Sequence, residues 1–121
     1  MVDTCALFDF MADCNRSSEV SKLLSNSQAA ISVITIYELF RGVTNQKHIV
    51  QRQQLVNLCK ILEISTMIAK QAAEIYTALK KKGELIPNQD ILIAATSIYW
   101  KYPLLTSNKK HFKKIPKIQL T

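Results

Sequence analysis

Glycine is scarce in this chain: Gly42 and Gly83 are the only two in 121 residues. Phosphate-cradling loops of the Walker and Gly-x-Gly-x-x-Gly kinds need several Cβ-free positions close together, so both are excluded. The three cysteines, Cys5, Cys14 and Cys59, form no Cys-x-x-Cys pair. That argues against a structural zinc site or a disulfide framework and points to a reducing, cytoplasmic setting. His48 and His111 stand far apart with no local ligand partner. No apolar run reaches the ~18 residues of a membrane span, so no membrane partner is expected. Met1-Val2-Asp3 has neither the charged nor the apolar region of a signal peptide, and none is expected. Acidic residues are absent after Asp90.

What is present is the composition of a soluble globular protein, 48% hydrophobic and 21% charged. The length fits one domain over residues 1–121, within the ~100–150 residues typical of domains. Charge is unevenly placed. Through residue 90, ten Lys and Arg face nine Asp and Glu; beyond it come six lysines and no acid. With Lys80-Lys81-Lys82 just upstream, the last third reads as a basic surface. Nucleic acid is the leading partner for such a patch, and a solvated basic face is the alternative.

Helical and strand patterns alternate. Met1 to Asp3 reads as the end of a short strand and Cys5 to Met11 as a short apolar helix. Arg16-Ser17-Ser18 offers helix-cap oxygens ahead of Val20, Leu23 and Leu24. Ala30 to Ile34 is a β-branched apolar run, expected to be a buried strand. Ile36, Leu39, Phe40 and Val43 follow at helical spacing. Further helices are expected over His48–Lys60, from Ile68 to the three lysines before Gly83, after Pro87-Asn88, and over Asn108–Lys114. Ile61–Ile64, Leu104–Thr106 and Ile118–Leu120 are the remaining strand candidates. This order predicts an α/β fold, a central parallel sheet flanked by helices on both faces.

The functional crevice of such a sheet lies at the carboxyl ends of its strands. Asp3 ends the first strand, Glu38 and Asp90 fall in the first turns of helices, and Asn108 follows the Leu104–Thr106 strand. Carboxylates converging on one rim repel one another unless a cation sits among them. Oxygen ligands without His or Cys suit Mg²⁺ or Mn²⁺. A carboxylate-bound metal beside a basic surface suggests metal-assisted phosphodiester hydrolysis. Each acid also has a plainer reading. Thr35-x-x-Glu38 matches a capping box. Asp90 suits a helix N-terminus, and Asn108 suits a cap. Asp9 and Asp13 read as solvated.

The residues also resemble a known family. Met1-Val2-Asp3-Thr4-Cys5-Ala6-Leu7-Phe8-Asp9 is similar to the opening block of PIN-domain proteins. Ile31 to Gly42, with Thr35, Glu38, Leu39 and Arg41, resembles their second block. Asp90-Ile91-Leu92-Ile93-Ala94-Ala95 resembles the third, and Leu104-Leu105-Thr106-Ser107-Asn108 with Phe112 the fourth. The blocks come in family order, and size and pattern are most similar to VapC toxins of type II toxin–antitoxin pairs. The resemblance implies a Mg²⁺-dependent endoribonuclease, silenced by a VapB-type antitoxin, with Asp3, Glu38 and Asp90 at the metal and Asn108 as a fourth position. Cys5 stands where the family usually has Asn or Ser, and Asn108 where some members have Asp.

Lys109, Lys110, Lys113 and Lys114, beside Asn108, are the expected RNA-binding residues. A homodimer, or a larger assembly with the antitoxin, is expected from surplus apolar residues in Ser17–Leu24 and between His48 and Leu79. The alternatives are a receiver-like phosphoacceptor domain, a catalytically impaired PIN-like module that binds RNA or protein, and a metal-free nuclease using the two histidines.

Overall fold

Adjacent residues along an extended segment point to opposite faces of a sheet. Met1 and Val2, Ala30 and Ile31, and Leu62 and Ile61 each divide in this way between two separate apolar clusters, as do Leu104 and Leu105. The sheet therefore has a packed layer on each face. The computed structural model describes residues 1–13 and 18–121. Among these, the helices are α1 (Thr4–Ala12), α2 (Ser18–Ser25), α3 (Val33–Phe40), α4 (Gln46–Asn57), α5 (Thr66–Lys82), α6 (Asn88–Trp100) and α7 (Lys109–Phe112). The strands are β1 (Ala30–Ser32) and β2 (Lys60–Leu62). One face carries Val2, Leu7, Val20, Leu24, Ile31, Leu39 and Leu55. The other carries Ile68, Leu79, Ile91, Ile93, Leu104 and Phe112.

The sheet is parallel and very short. β1 pairs with β2 in the register Ala30–Lys60, Ile31–Ile61 and Ser32–Leu62. Val2 donates its N–H to Ala30 O and forms a parallel bridge with Leu105, and Leu104 bridges in parallel to Leu120. The order across the sheet is thus residues 60–62, 30–32, 1–2, 104–105 and 120. The expected strands at Met1–Asp3, Leu104–Thr106 and Ile118–Leu120 are single bridges rather than full strands. No helix among the described residues is long and apolar enough to cross a membrane.

Four expectations change. The strand expected over Ala30–Ile34 stops at Ser32, whose side chain accepts from Ile34 N and caps α3. The β-branched residues Val33 to Ile36 are therefore helical, because a cap hydroxyl outweighs their modest strand preference. Ser32, not Thr35, is the cap, so the capping-box reading of Thr35 and Glu38 falls, and Glu38 sits in the second turn. α4 begins at Gln46, where Asn45 accepts from Lys47 and His48 N–H groups, and ends at Asn57, before Lys60 enters β2. α7 spans four residues, so Lys113 and Lys114 follow it rather than lie on it. Of the α2 cap residues expected at Arg16-Ser17-Ser18, Ser18 is the first residue of α2, and Arg16 and Ser17 lie outside the described residues.

α5 closes as its sequence suggests. Lys80, Lys81 and Lys82 occupy its last turn, and Gly83 follows at φ +69°, the left-handed region that glycine enters freely. Ser32 has the larger consequence, since it turns β1 into the helix that carries Glu38. Ser32→Ala should cost about 1 kcal/mol of stability, read as a lower urea midpoint with an unchanged slope.

Candidate active site

Asp3 follows the Val2 bridge and caps α1. Its Oδ1 accepts from Ala6 N at 2.9 Å, and its Oδ2 accepts from Thr106 Oγ1 at 2.5 Å. The side chain is 2% exposed, so water stabilises it little. Burial raises its pKa above the ordinary aspartate value, the bonds from Thr106 and Ala6 lower it, and the charges of Asp90 and Glu38 raise it further. Asp3 therefore lies within the field of both other acids.

Hydroxyl groups connect them. Thr4, the first residue of α1, donates from Oγ1 to Glu38 Oε1 at 2.8 Å and lies 3.1 Å from the buried Thr35 hydroxyl. Arg41 makes a loose ion pair with the other oxygen of Glu38 at 3.9 Å. Thr106 Oγ1 accepts from Asn108 N at 2.9 Å while it donates to Asp3. Asn108 occupies the N-cap position of α7, as its plainer reading has it, but makes no side-chain cap bond. Its amide lies 2.8 Å from His111 Nδ1, which is 3.2 Å from Asp90 Oδ2. Asp90 occupies the first turn of α6, whose cap, Pro87, offers no side-chain bond.

The sequence-predicted residues are thus placed as follows. Asp3 lies in the field of Glu38 and Asp90, and Asn108 is bonded to Thr106 and His111. Lys109 lines a cleft of about 240 Å³ together with Asp9, Thr106 and Ser107. Lys110, Lys113 and Lys114 are exposed. Asp9, expected to be solvated, is half-buried in that cleft, whereas Asp13 is exposed and caps the C-terminus of α1. Four residues of the site were not singled out for it by sequence: Thr4, Thr35, Thr106 and His111. The i, i+3 spacing of Asn108 and His111 is the one local signal that marks the histidine.

The donors present at the rim are carboxylate oxygens, the set a hard divalent cation takes. Among the described residues no three His, Cys, Asp or Glu side chains close around one point. The expected three-carboxylate cluster is therefore not a ready-made cage. Asp3 is turned toward its own hydrogen bonds, to Ala6 N and Thr106 Oγ1. Mg²⁺ keeps several waters and commonly needs only one or two carboxylates, so the donor set still fits it. The negative field reaches Cys5, whose thiol is pushed up to about 11, by burial first and then by Asp3, Asp90, Glu38 and Asp9. Cys5 keeps part of its surface in water, yet it is no thiolate nucleophile.

A parallel sheet with layers on both faces and acids gathered at its rim defines a class of protein. The chain belongs to the PIN domain family, whose model matches residues 1–118. Within that family it is 36% identical over 124 residues to Ribonuclease VapC1 of Methanocaldococcus jannaschii, a match covering 99% of this chain and 83% of that protein. It is 35% identical over 102 residues to Ribonuclease VapC2 of Rickettsia felis, covering 81% and 76%. Its fold is similar to that in the crystal structure of VapBC2 from Rickettsia felis bound to a DNA fragment from their promoter. That match has a TM-score of 0.85 and 27% identity, over 100% of this chain and 96% of the other. VapBC-1 from nontypeable Haemophilus influenzae gives 0.86 and 26%, over 100% and 95%.

The raised pKa of Asp3 has a consequence for stability. The folded chain holds the Asp3 proton more tightly than the unfolded chain does. Stability therefore falls as pH rises from the ordinary aspartate range through the raised value. Asp3→Asn keeps an acceptor for Ala6 N and removes the buried charge. In metal-free buffer it should melt above the wild type at pH 7, with the two midpoints converging at low pH in a thermal melt series.

Proposed function

We propose that this protein is a Mg²⁺- or Mn²⁺-dependent endoribonuclease, the toxin of a VapBC-type pair. The observation that carries this reading is the buried Asp3, fixed by α1 and Thr106 within the field of Glu38 and Asp90. The names of its relatives support the same reading.

Asp3, Glu38 and Asp90 would hold the metal, which when bound supplies an activated water and neutralises charge on the phosphodiester. The chain's own residues do the rest. Two hydrogen bonds leave Asp3 one orientation. Thr4 holds Glu38 toward α1. Asn108, as the fourth position, joins the Thr106 end of the site to Asp90. Lys109 lines the cleft beside Thr106 and attracts a phosphate there, and Lys110, Lys113 and Lys114 extend the positive surface for the rest of an RNA chain. Such contacts are blind to sequence and weaken with salt.

The partner in this reading is a VapB-type antitoxin, in a homodimer or larger assembly. A groove of about 600 Å³ between α1 and α4, lined by Phe8, Phe10, Met11, Leu55 and Leu58, supports an apolar contact of this kind. Arg52 stacks over Phe8, with 5.4 Å from its guanidinium to the ring centre, and donates to Leu39 O. Of these, Leu55 and Leu58 belong to the apolar excess expected between His48 and Leu79. Ser17, at the edge of the other expected segment, lies outside the described residues.

The test is cleavage of an RNA panel with and without chelator. EDTA should abolish cleavage and added Mg²⁺ or Mn²⁺ should restore it. Asp90→Asn and Glu38→Gln should each lower turnover about 100-fold or more, the scale for losing a preorganised charged group. RNA binding without cleavage at any metal concentration would instead favour the impaired, binding-only module. A second measurement addresses the lysines. Replacing Lys109 and Lys110 by Ala should weaken binding across many RNAs and flatten the salt dependence by about 0.7 per lost phosphate contact.

A further inference from the structure

His111 lies on α7, next to the fully buried Phe112 that anchors this short turn in the core. Its Nδ1 touches two of the four positions on which the site is built, Asp90 Oδ2 at 3.2 Å and the Asn108 amide at 2.8 Å. One arrangement of donors and acceptors satisfies both contacts. A carboxylate oxygen only accepts, so Nδ1 carries a hydrogen; a bare Nδ1 would face the Asp90 oxygen lone pair to lone pair. A half-turn of the Asn108 amide, which moves no atom centre appreciably, then presents Oδ1 to the same N–H. Asn108 is in turn bonded through its own N–H to Thr106, and Thr106 to Asp3. An unbroken path thus runs from Asp3 through Thr106, Asn108 and His111 to Asp90.

We propose that His111 is a positioning residue, whose Nδ1–H holds the side chains of Asp90 and Asn108 in a fixed relation to Asp3 so that the rim binds a divalent cation. The inference rests on the metal-dependent reading above. Partners of ligating carboxylates typically change metal affinity 10- to 100-fold when removed. The closed cage that the acids lack makes such a partner matter more, because nothing else among the described contacts fixes Asp90.

The test uses the full chain and four variants, His111→Asn, His111→Phe, His111→Ala and Asp90→Asn. Long-range nitrogen NMR in metal-free buffer reads the imidazole tautomer, calorimetry reads Mn²⁺ affinity, and a thermal melt in EDTA reads the fold. The ring should carry its hydrogen at Nδ1 in the wild type and lose that preference in Asp90→Asn. His111→Phe should bind Mn²⁺ about 10- to 100-fold more weakly, with a near-normal melt and an unchanged KM for RNA. His111→Asn, which returns an N–H close to where Nδ1 stood, should recover most of that affinity. His111→Ala replaces the Phe variant if the latter loses its thermal transition. A wild-type ring protonated at Nε2, an affinity in His111→Phe within two-fold of the wild type, or no recovery in His111→Asn would each overturn the inference alone. Wild-type protein that binds no Mn²⁺ would overturn the metal-dependent reading as well.

Discussion

Asp3 loses nearly all its contact with water on folding, and a carboxylate can be held there only if donors are aimed at it. Two are, and they come from opposite directions in the chain. The N–H of Ala6 belongs to the helix that Asp3 itself starts, so the positive end of α1 faces the acid. The hydroxyl of Thr106 arrives from the segment after Leu105, which pairs with Val2. One side chain thereby ties the beginning of the first helix to the neighbouring sheet segment, 103 positions away in the chain. The remaining acids are placed against it: Glu38 through Thr4, and Asp90 through His111 and Asn108. Even with two donors, burial prevails in its pKa, which stays above the ordinary range.

The economy of the sheet follows from the same arrangement. Three-residue strands and single bridges leave few backbone bonds to align the rim, so small hydroxyl side chains carry much of the alignment. Ser32 ends β1 and starts α3. Thr4 and Thr35 meet above Glu38, and Thr106 spans Asp3 and Asn108. Each hydroxyl sits where a strand gives way to a helix or turn, and each is buried. A methyl group in any of these places would fill similar space without supplying a donor or acceptor. The two apolar layers give the rim its stiffness from below, with Leu7 and Leu39 on one face and Ile93 and Phe112 on the other.

How far the sequence discloses this depends on the range of the interaction. The helices of the second half are legible because their signals are local: the stripe from Ile68 to Leu79, three lysines, then Gly83 in the left-handed conformation it alone enters easily. The order of strands and helices follows from the same local patterns, and with it the expectation of a common rim for Asp3, Glu38 and Asp90; the motif blocks point to the family to which the chain belongs. The end of β1 is not legible, because Val33 to Ile36 favour a strand by residue type while Ser32 and Thr35 are equally good caps. Only the fold decides between them. The wiring of the site is hidden for a different reason. Thr106 meets Asp3 from 103 positions away and His111 meets Asp90 from 21, distances over which no periodicity speaks.

The bridge between Val2 and Leu105 also sets an order in time. Its two sides lie 103 positions apart in the chain, and closing so long a loop costs more entropy than forming any of the helices between them. A growing chain can wind α1 early, but the acid at its head has no Thr106 to receive it and no neighbouring segment to shield it. The rim therefore needs residue 106 to be complete, and a chain stopped before it carries no assembled site.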